Sequence, residues 1–221
     1  NMAQQVADFV NTNGDLFDIL RLAGAFSYDT RNKAIFPDKG VWHRIMTEVA
    51  LPSFGESIEF YKVEYKTQWI HSVLEDYVLS LRGQMGYGDG MMDTEGLPFF
   101  ENFYAGGPRT VRGYKENTLG PLDSTNRPLG GNFKLIGNAE VILPVPYFKD
   151  IKSVRIAGFF DGGNVYGKNE DIDLGELRYS TGVSGIWISP FGELSASFAV
   201  PLANQKGDDT QTFQFTFGSH F

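Results

Sequence analysis

YKVEYKTQW, residues 61–69, puts Tyr61, Val63, Tyr65, Thr67 and Trp69 on one side of an extended chain and Lys62, Glu64, Lys66 and Gln68 on the other. Successive side chains of a strand point to opposite faces, so a period of two is a strand signal. The pattern recurs along the chain. Upstream, Leu20, Leu22, Phe26 and Tyr28 alternate with Arg21, Ala23, Ser27 and Asp29, and Ile45, Thr47, Val49 and Leu51 oppose Arg44 and Glu48. Downstream, Tyr77, Leu79, Leu81, Met85 and Tyr87 alternate with Ser80, Arg82 and Gln84. Phe133, Leu135, Ala139, Val141 and Leu143 then oppose Lys134, Asn138 and Glu140. Val154, Ile156 and Phe160 oppose Arg155, Ala157 and Asp161, with Phe159 breaking the polar face. Leu177, Tyr179, Val183 and Trp187 oppose Arg178, Ser180 and Ser184, and Leu194, Ala196, Phe198, Val200 and Leu202 oppose Glu193, Ser195 and Ser197. A final strand is expected from about Thr210 to Phe221, with Phe213, Phe215 and Phe217 on alternate positions.

These make about nine strands of 10–12 residues, longer than the usual 5–6 of soluble proteins. Tight turns such as Ser189-Pro190-Phe191-Gly192 alternate with longer polar connections such as Gly162–Gly175 and Ala203–Asp209. Short turns at one end and long loops at the other are the asymmetry of outer-membrane barrels. Tyr28, Trp42, Trp69, Tyr77, Tyr87, Tyr147 and Trp187 fall near strand ends, as two interfacial girdles require. A soluble β-sandwich also has alternating strands. Strand length and the mixed charges of the polar faces favour an all-β, transmembrane antiparallel β-barrel over it.

Composition narrows the function. The net charge of −8 argues against a nucleic-acid footprint, which needs a basic face. Cysteine is absent, which removes disulfides, thiolate nucleophiles and zinc knuckles. His43, His71 and His220 are scattered, so neither a metal site nor a Ser-His-Asp relay is expected. The pieces GYGDG (86–90) and DGGN (161–164) lack the strand–loop–helix context and the Lys-Ser/Thr ending of a phosphate cradle. No enzyme and no cofactor are expected. No run of 18 apolar residues exists, which excludes a membrane helix but not a barrel. Met2, Val6, Phe9 and Val10 have helical spacing and stop at Asn13-Gly14, so a short surface helix precedes the strands. The chain opens on Asn1 inside this loop without a visible signal peptide, which reads as the C-terminal part of a longer protein.

Residues 88–131 form a long segment without clear periodicity. Phe99, Phe100, Phe103 and Tyr104 need cover, so the segment is expected to fold back into the barrel. Its centre, Val111-Arg112-Gly113-Tyr114, is a cationic tip. A cation inside a lumen must find carboxylates, because an unpaired buried charge is very costly. By parity Glu140 and Asp161 face inward on the two strands after the loop. Arg112 either pins the loop to them or is a solvated loop residue.

FENFYAGGPRTVRGY, residues 100–114, resembles the sixth extracellular loop of the β-barrel assembly factors, central subunits of the β-barrel assembly machinery. These belong to a superfamily of outer-membrane insertases and two-partner-secretion transporters whose motif is V-R-G-F/Y. Phe36–Gly40 (FPDKG), Tyr87-Gly88-Asp89-Gly90, Asp161-Gly162-Gly163, Ser189–Gly192 and the terminal Phe221 match as well. The resemblance implies about nine C-terminal strands of a sixteen-stranded barrel, without its periplasmic POTRA domains. It places residues 1–18 in an extracellular loop, residues 19–221 in the integral outer-membrane barrel, and the 88–131 loop in the lumen. It implies that Arg112 pairs with Glu140 and Asp161. It further implies a weak lateral seam at the terminal strand, with Phe213, Phe215, Phe217 and Phe221 on that strand and Gly218 marking its kink. The function implied is assembly and insertion of β-barrel proteins. Its partners would be unfolded outer-membrane proteins, accessory lipoproteins and outer-membrane lipid, with no nucleic acid. The alternative is a two-partner-secretion transporter for one exported protein; a passive porin and a soluble binding module are further competitors. The FENFYAGG context favours the insertase.

Overall fold

The computed structural model describes residues 3–53, 57–74, 77–143, 153–205 and 207–218. A helix α1 (Gln4–Asn13) leads into strands β1 (Leu20–Asp29), β2 (Gly40–Leu51), β3 (Phe60–Leu74) and β4 (Tyr77–Gly90). The long loop follows and contributes a two-residue strand β5 (Gly113–Tyr114). Then come β6 (Phe133–Leu143), β7 (Val154–Tyr166), β8 (Arg178–Ser189), β9 (Gly192–Pro201), β10 (Thr210–Gln211) and β11 (Phe213–Phe217). Nine of these form one sheet in the order β1-β2-β3-β4-β6-β7-β8-β9-β11, and β5 pairs with β10 in a second, two-stranded sheet. Every neighbour in the large sheet is antiparallel. No described helix is long and apolar enough to cross a membrane.

The period of two sorts the side chains as the sequence does. Leu22, Phe26, Leu81, Met85, Phe160, Val183, Phe198, Phe213, Phe215 and Phe217 are exposed on one face. Lys134, Asn138, Asp161, Ser180, Ser184, Ser197 and Gln214 are buried on the other. This inverts a soluble protein, where large apolar side chains are covered. A continuous apolar face with a polar interior is what a lipid-embedded wall requires. The polar face curls around the long loop: Arg21 of β1 reaches Glu101 of the loop, and Gln214 of β11 reaches Gly113 of the same loop.

Two boundaries differ from the pattern reading. β7 continues to Tyr166, so Gly162 and Gly163 lie inside a strand rather than opening a loop. A Cβ on Gly163 would meet Ile136 Cδ1 at 2.5 Å and the Leu135 carbonyl oxygen at 2.7 Å. This glycine permits a close approach of neighbouring strands; it does not make a turn. The terminal strand is divided at Thr212, because Thr210-Gln211 pair with the loop and Phe213–Phe217 pair with β9. Gly218, expected to mark a kink of the terminal strand, directly follows Phe217 at φ 117°, with its N–H donating to the Glu193 carbonyl oxygen at 2.9 Å. Tyr147, His220 and Phe221 lie outside the described residues.

The apolar outer face makes a measurable prediction. Val183 sits mid-strand in β8 and is exposed. Val183→Arg is expected to destabilise the barrel of the full-length protein in lipid by about 2–4 kcal/mol if the site lies near the bilayer midplane. Urea unfolding in phospholipid vesicles measures this, and a neutral effect would contradict a lipid-facing β8.

The docked loop tip as candidate functional site

The tip is shaped first by its own backbone. Gly107 N–H donates to the carbonyls of Val111 (3.2 Å) and Tyr114 (3.0 Å), and Thr110 N–H donates to the Gly107 carbonyl at 3.2 Å. This turns the chain so that Arg112 projects into the wall. Gly113 has φ +88°, and a Cβ there would lie 3.2 Å from Ala199 Cβ and 3.4 Å from Ser180 Cβ. Glycine answers both the backbone angle and the close wall. Val111 and Tyr114 are fully buried and pack in a cluster with Ala105, Leu119, Ile136 and Val165.

Arg112 uses every face of its guanidinium. Nε donates to Asp161 Oδ2 at 2.7 Å and Nη2 to Asp161 Oδ1 at 2.7 Å. Nη1 lies 2.7 Å from Glu140 Oε1, and the backbone N–H of Arg112 donates to Asp161 Oδ2 at 3.1 Å. The guanidinium carbon lies 3.6 Å from the centroid of the Phe159 ring. Glu140 also takes Arg82 Nη2 at 2.9 Å. Asn138 Nδ2 donates to Asp161 Oδ1 at 2.8 Å and to the Thr110 carbonyl at 2.6 Å. The cluster of Arg82, Arg112, Glu140 and Asp161 carries two charges of each sign. Burial opposes the charge on Arg112, but Asp161 and Glu140 outweigh it and hold the guanidinium above its ordinary pKa.

Cross-strand register brings the partners together. Asn138 stands opposite Asp161, and Glu140 opposite Phe159. Phe159 in turn stands opposite Gly182, where a Cβ would meet its ring at 2.9 Å. Sequence reasoning noted Phe159 only as a break in polar parity. That break was the signal, since an aromatic on a polar wall implies something to cover, and here it covers Arg112.

A second anchor has the opposite polarity and was not anticipated. Glu101, from the loop, takes Arg21 Nη2 at 2.6 Å and Lys62 Nζ at 3.0 Å. Two wall ammonium groups lie over the Phe103 ring, Lys62 at 5.1 Å and Lys134 at 5.2 Å from its centroid. Lys134 also pairs with Glu64 at 2.7 Å. Phe99 and Phe100 cluster with Phe9 of α1 and with Phe17, so the helix rests on the loop. Phe103 is buried as expected, whereas Phe100 remains exposed.

The residues expected at the seam separate. Phe213, Phe215 and Phe217 stand opposite Phe198, Ala196 and Leu194 and point outward. The inward residue between them, Gln214, contacts the tip. Its Oε1 accepts from Gly113 N–H at 3.3 Å and its Nε2 donates to the Tyr114 carbonyl at 2.6 Å. Parity alone puts Gln214 on the lumen side, but nothing local names its partner. Tyr114 hydroxyl donates to the Ala203 carbonyl at 2.9 Å and the Tyr179 carbonyl at 3.3 Å. Burial, reinforced by the nearby Asp208 carboxylate, pushes its phenol up to about 12.

Comparison with known proteins agrees with this geometry. An outer-membrane-type barrel wall with a docked V-R-G-Y loop defines a class, and the chain belongs to the Omp85 superfamily, whose domain matches residues 2–221. It is 35% identical over 222 residues to the outer membrane protein assembly factor BamA of Neisseria meningitidis, covering 86% of this chain and 28% of that protein. It is 26% identical over 205 residues to the human sorting and assembly machinery component 50 homolog, covering 85% of this chain and 42% of that protein. The crystal structure of BamA from Haemophilus ducreyi lacking POTRA domains 1–3 superposes with a TM-score of 0.85 at 23% identity. That match covers 97% of this chain and 47% of that one, and it shows the shared fold. The chain spans about a quarter of the length of the bacterial BamA relatives it matches.

Two measurements test the site. Removing Arg112 alone leaves the fully buried Asp161 carboxylate without its cation, while Glu140 keeps Arg82, at a cost of about 3–5 kcal/mol. Arg112→Ala/Asp161→Ala is therefore expected to cost less than the sum of its single variants, by about 0.5–3 kcal/mol in a double-mutant cycle on unfolding. An additive cycle would contradict the pairing. For Tyr114, a folded pKa above the ordinary 10.0 favours the native state fully below that value. This contribution is lost as pH rises through about 12, where a phenolate can no longer donate to the two carbonyls. Tyr114→Phe is expected to flatten the alkaline loss of loop protection from proteolysis between those values, relative to wild type.

Proposed function

We propose that this chain is the wall and loop of a β-barrel insertase, which assembles and inserts β-barrel proteins into the bacterial outer membrane. The observation that carries the reading is the terminal strand. β11 has five residues, the fewest of any strand in the large sheet, so its ladder to β9 is the shortest and the easiest to exchange. A strand edge presents unpaired N–H and C=O groups, which makes it a template for an incoming strand. The outward Phe213, Phe215 and Phe217 keep that edge at the lipid boundary, where the incoming strand must arrive. The chemistry is exchange of hydrogen-bond partners. Each pairing offered to a substrate strand replaces one that the strand would otherwise lack in lipid.

In this reading Arg112, Glu140 and Asp161 hold the loop against the inner wall, which keeps the strands beside the β11 edge in register. Val111, Gly113 and Tyr114 shape the tip, and Gly218 marks a kink of the terminal strand beside the seam. The substrates are unfolded outer-membrane proteins. Accessory lipoproteins of the assembly machinery and the surrounding lipid are the other partners. Bacterial relatives bearing the name assembly factor support the insertase over a secretion transporter.

The test uses the full-length parent protein in cells with Arg112→Ala. The expected result is a general fall in the steady-state amounts of many unrelated outer-membrane barrels, with impaired growth. Normal barrels together with loss of one secreted protein would replace the insertase by the transporter reading.

A further inference from the structure

The terminal strand is shared between two partners. Thr210-Gln211 stand opposite Tyr114-Gly113 of the loop tip, and Lys115 N–H donates to the Asp209 carbonyl at 2.8 Å. After the break at Thr212, Phe213–Phe217 stand opposite β9. Thr212 itself accepts from Ala199 N–H at 2.8 Å. One stretch of chain therefore closes two sheets, one with the loop and one with the wall.

Gln214 joins the two sheets across this division. Its backbone belongs to β11 and its side chain is buried against the tip. The carboxamide offers an acceptor to Gly113 N–H and a donor to the Tyr114 carbonyl. Only one orientation of the amide satisfies both, so the contact specifies Gln rather than any polar residue. A glutamate would keep the acceptor and lose the donor, setting two oxygens against each other. Gln214 is thus a buried reader of loop-tip backbone, carried by the shortest strand of the large sheet.

From this we infer that the loop tip and the terminal strand form one cooperative unit, with Gln214 as the positioning residue that couples them. When Arg112 leaves Asp161, the tip withdraws Gly113 and Tyr114 from both β10 and Gln214. β11 then loses its inward support while its ladder to β9 remains. By thermodynamic reciprocity, loosening β11 loosens the tip by the same factor. Loop docking therefore sets how firmly the terminal strand is held. As a control on insertion this inference rests on the proposed function; as a coupling within the barrel it stands apart from it.

The experiment measures hydrogen exchange in the full-length parent protein reconstituted in lipid nanodiscs. Peptides covering residues 107–116 and 210–217 are followed in wild type, Gln214→Ala, Gln214→Glu and Arg112→Lys. Exchange is expected to rise about tenfold in both segments together for each variant, while peptides of β3 and β4 stay unchanged. Arg112→Lys keeps the charge and lies far from β11 in sequence, so it reports coupling even where a Gln214 variant folds poorly. Opening of the terminal segment alone in the Gln214 variants, or of the tip alone in Arg112→Lys, would overturn the inference. Outer-membrane barrel levels in cells carrying Gln214→Ala read the function separately. Coupled exchange with normal barrel levels supports the coupling and counts against its use in insertion.

Discussion

A guanidinium buried against the polar face of the sheet organises this chain. Taking Arg112 out of water is affordable only with carboxylates in excellent geometry, and the wall supplies Asp161, Glu140 and a ring to cover the planar face. Each partner comes from a position set by strand register, so the loop docks only if β6, β7 and β8 are correctly paired. The pairing is better understood as a lock on conformation than as a source of net stability. Buried ion pairs roughly balance their own desolvation, whereas breaking one leaves an uncompensated charge.

The loop is held by complementary charge at two places, and the signs are reversed. At Glu101 the loop is the anion and the wall supplies Arg21 and Lys62; at Arg112 the loop is the cation and the wall supplies the carboxylates. A loop displaced along the wall brings like charges together, which specifies its register. Phe103 and Phe159 serve the same logic from opposite sides, a loop ring among wall ammoniums and a wall ring under a loop guanidinium. Together the anchors stretch the loop from β1 to β11, so it braces most of the described wall. The strand it reaches last is also the one with the shortest ladder.

Much of the wall was legible in the chain because it depends on neighbours in sequence. Tyr61–Trp69 alternates, and β3 forms there with its polar side inward. The same parity placed Asp161 and Glu140 on the lumen face. Local signals misled where glycine had a packing role. Gly162-Gly163 has the look of a turn, yet both lie in β7, Gly163 where Ile136 leaves no room for a side chain. The undivided terminal strand was misread for a related reason, since its division at Thr212 comes from a competing partner in the loop.

By itself, then, the sequence determined most of the strands, their apolar and polar faces, and which carboxylates a buried Arg112 could pair with. These follow from side-chain alternation and from the cost of burying charge, and both act over a few residues. Only the tertiary structure decided who meets whom. Arg112 and Asp161 are 49 residues apart, and Gly113 and Gln214 are 101 apart. Contacts over such separations depend on the path of a loop without periodicity and on the register of several strands at once. No local pattern carries that information, and so Phe159, Glu101 and Gln214 entered the site only when the fold brought them there.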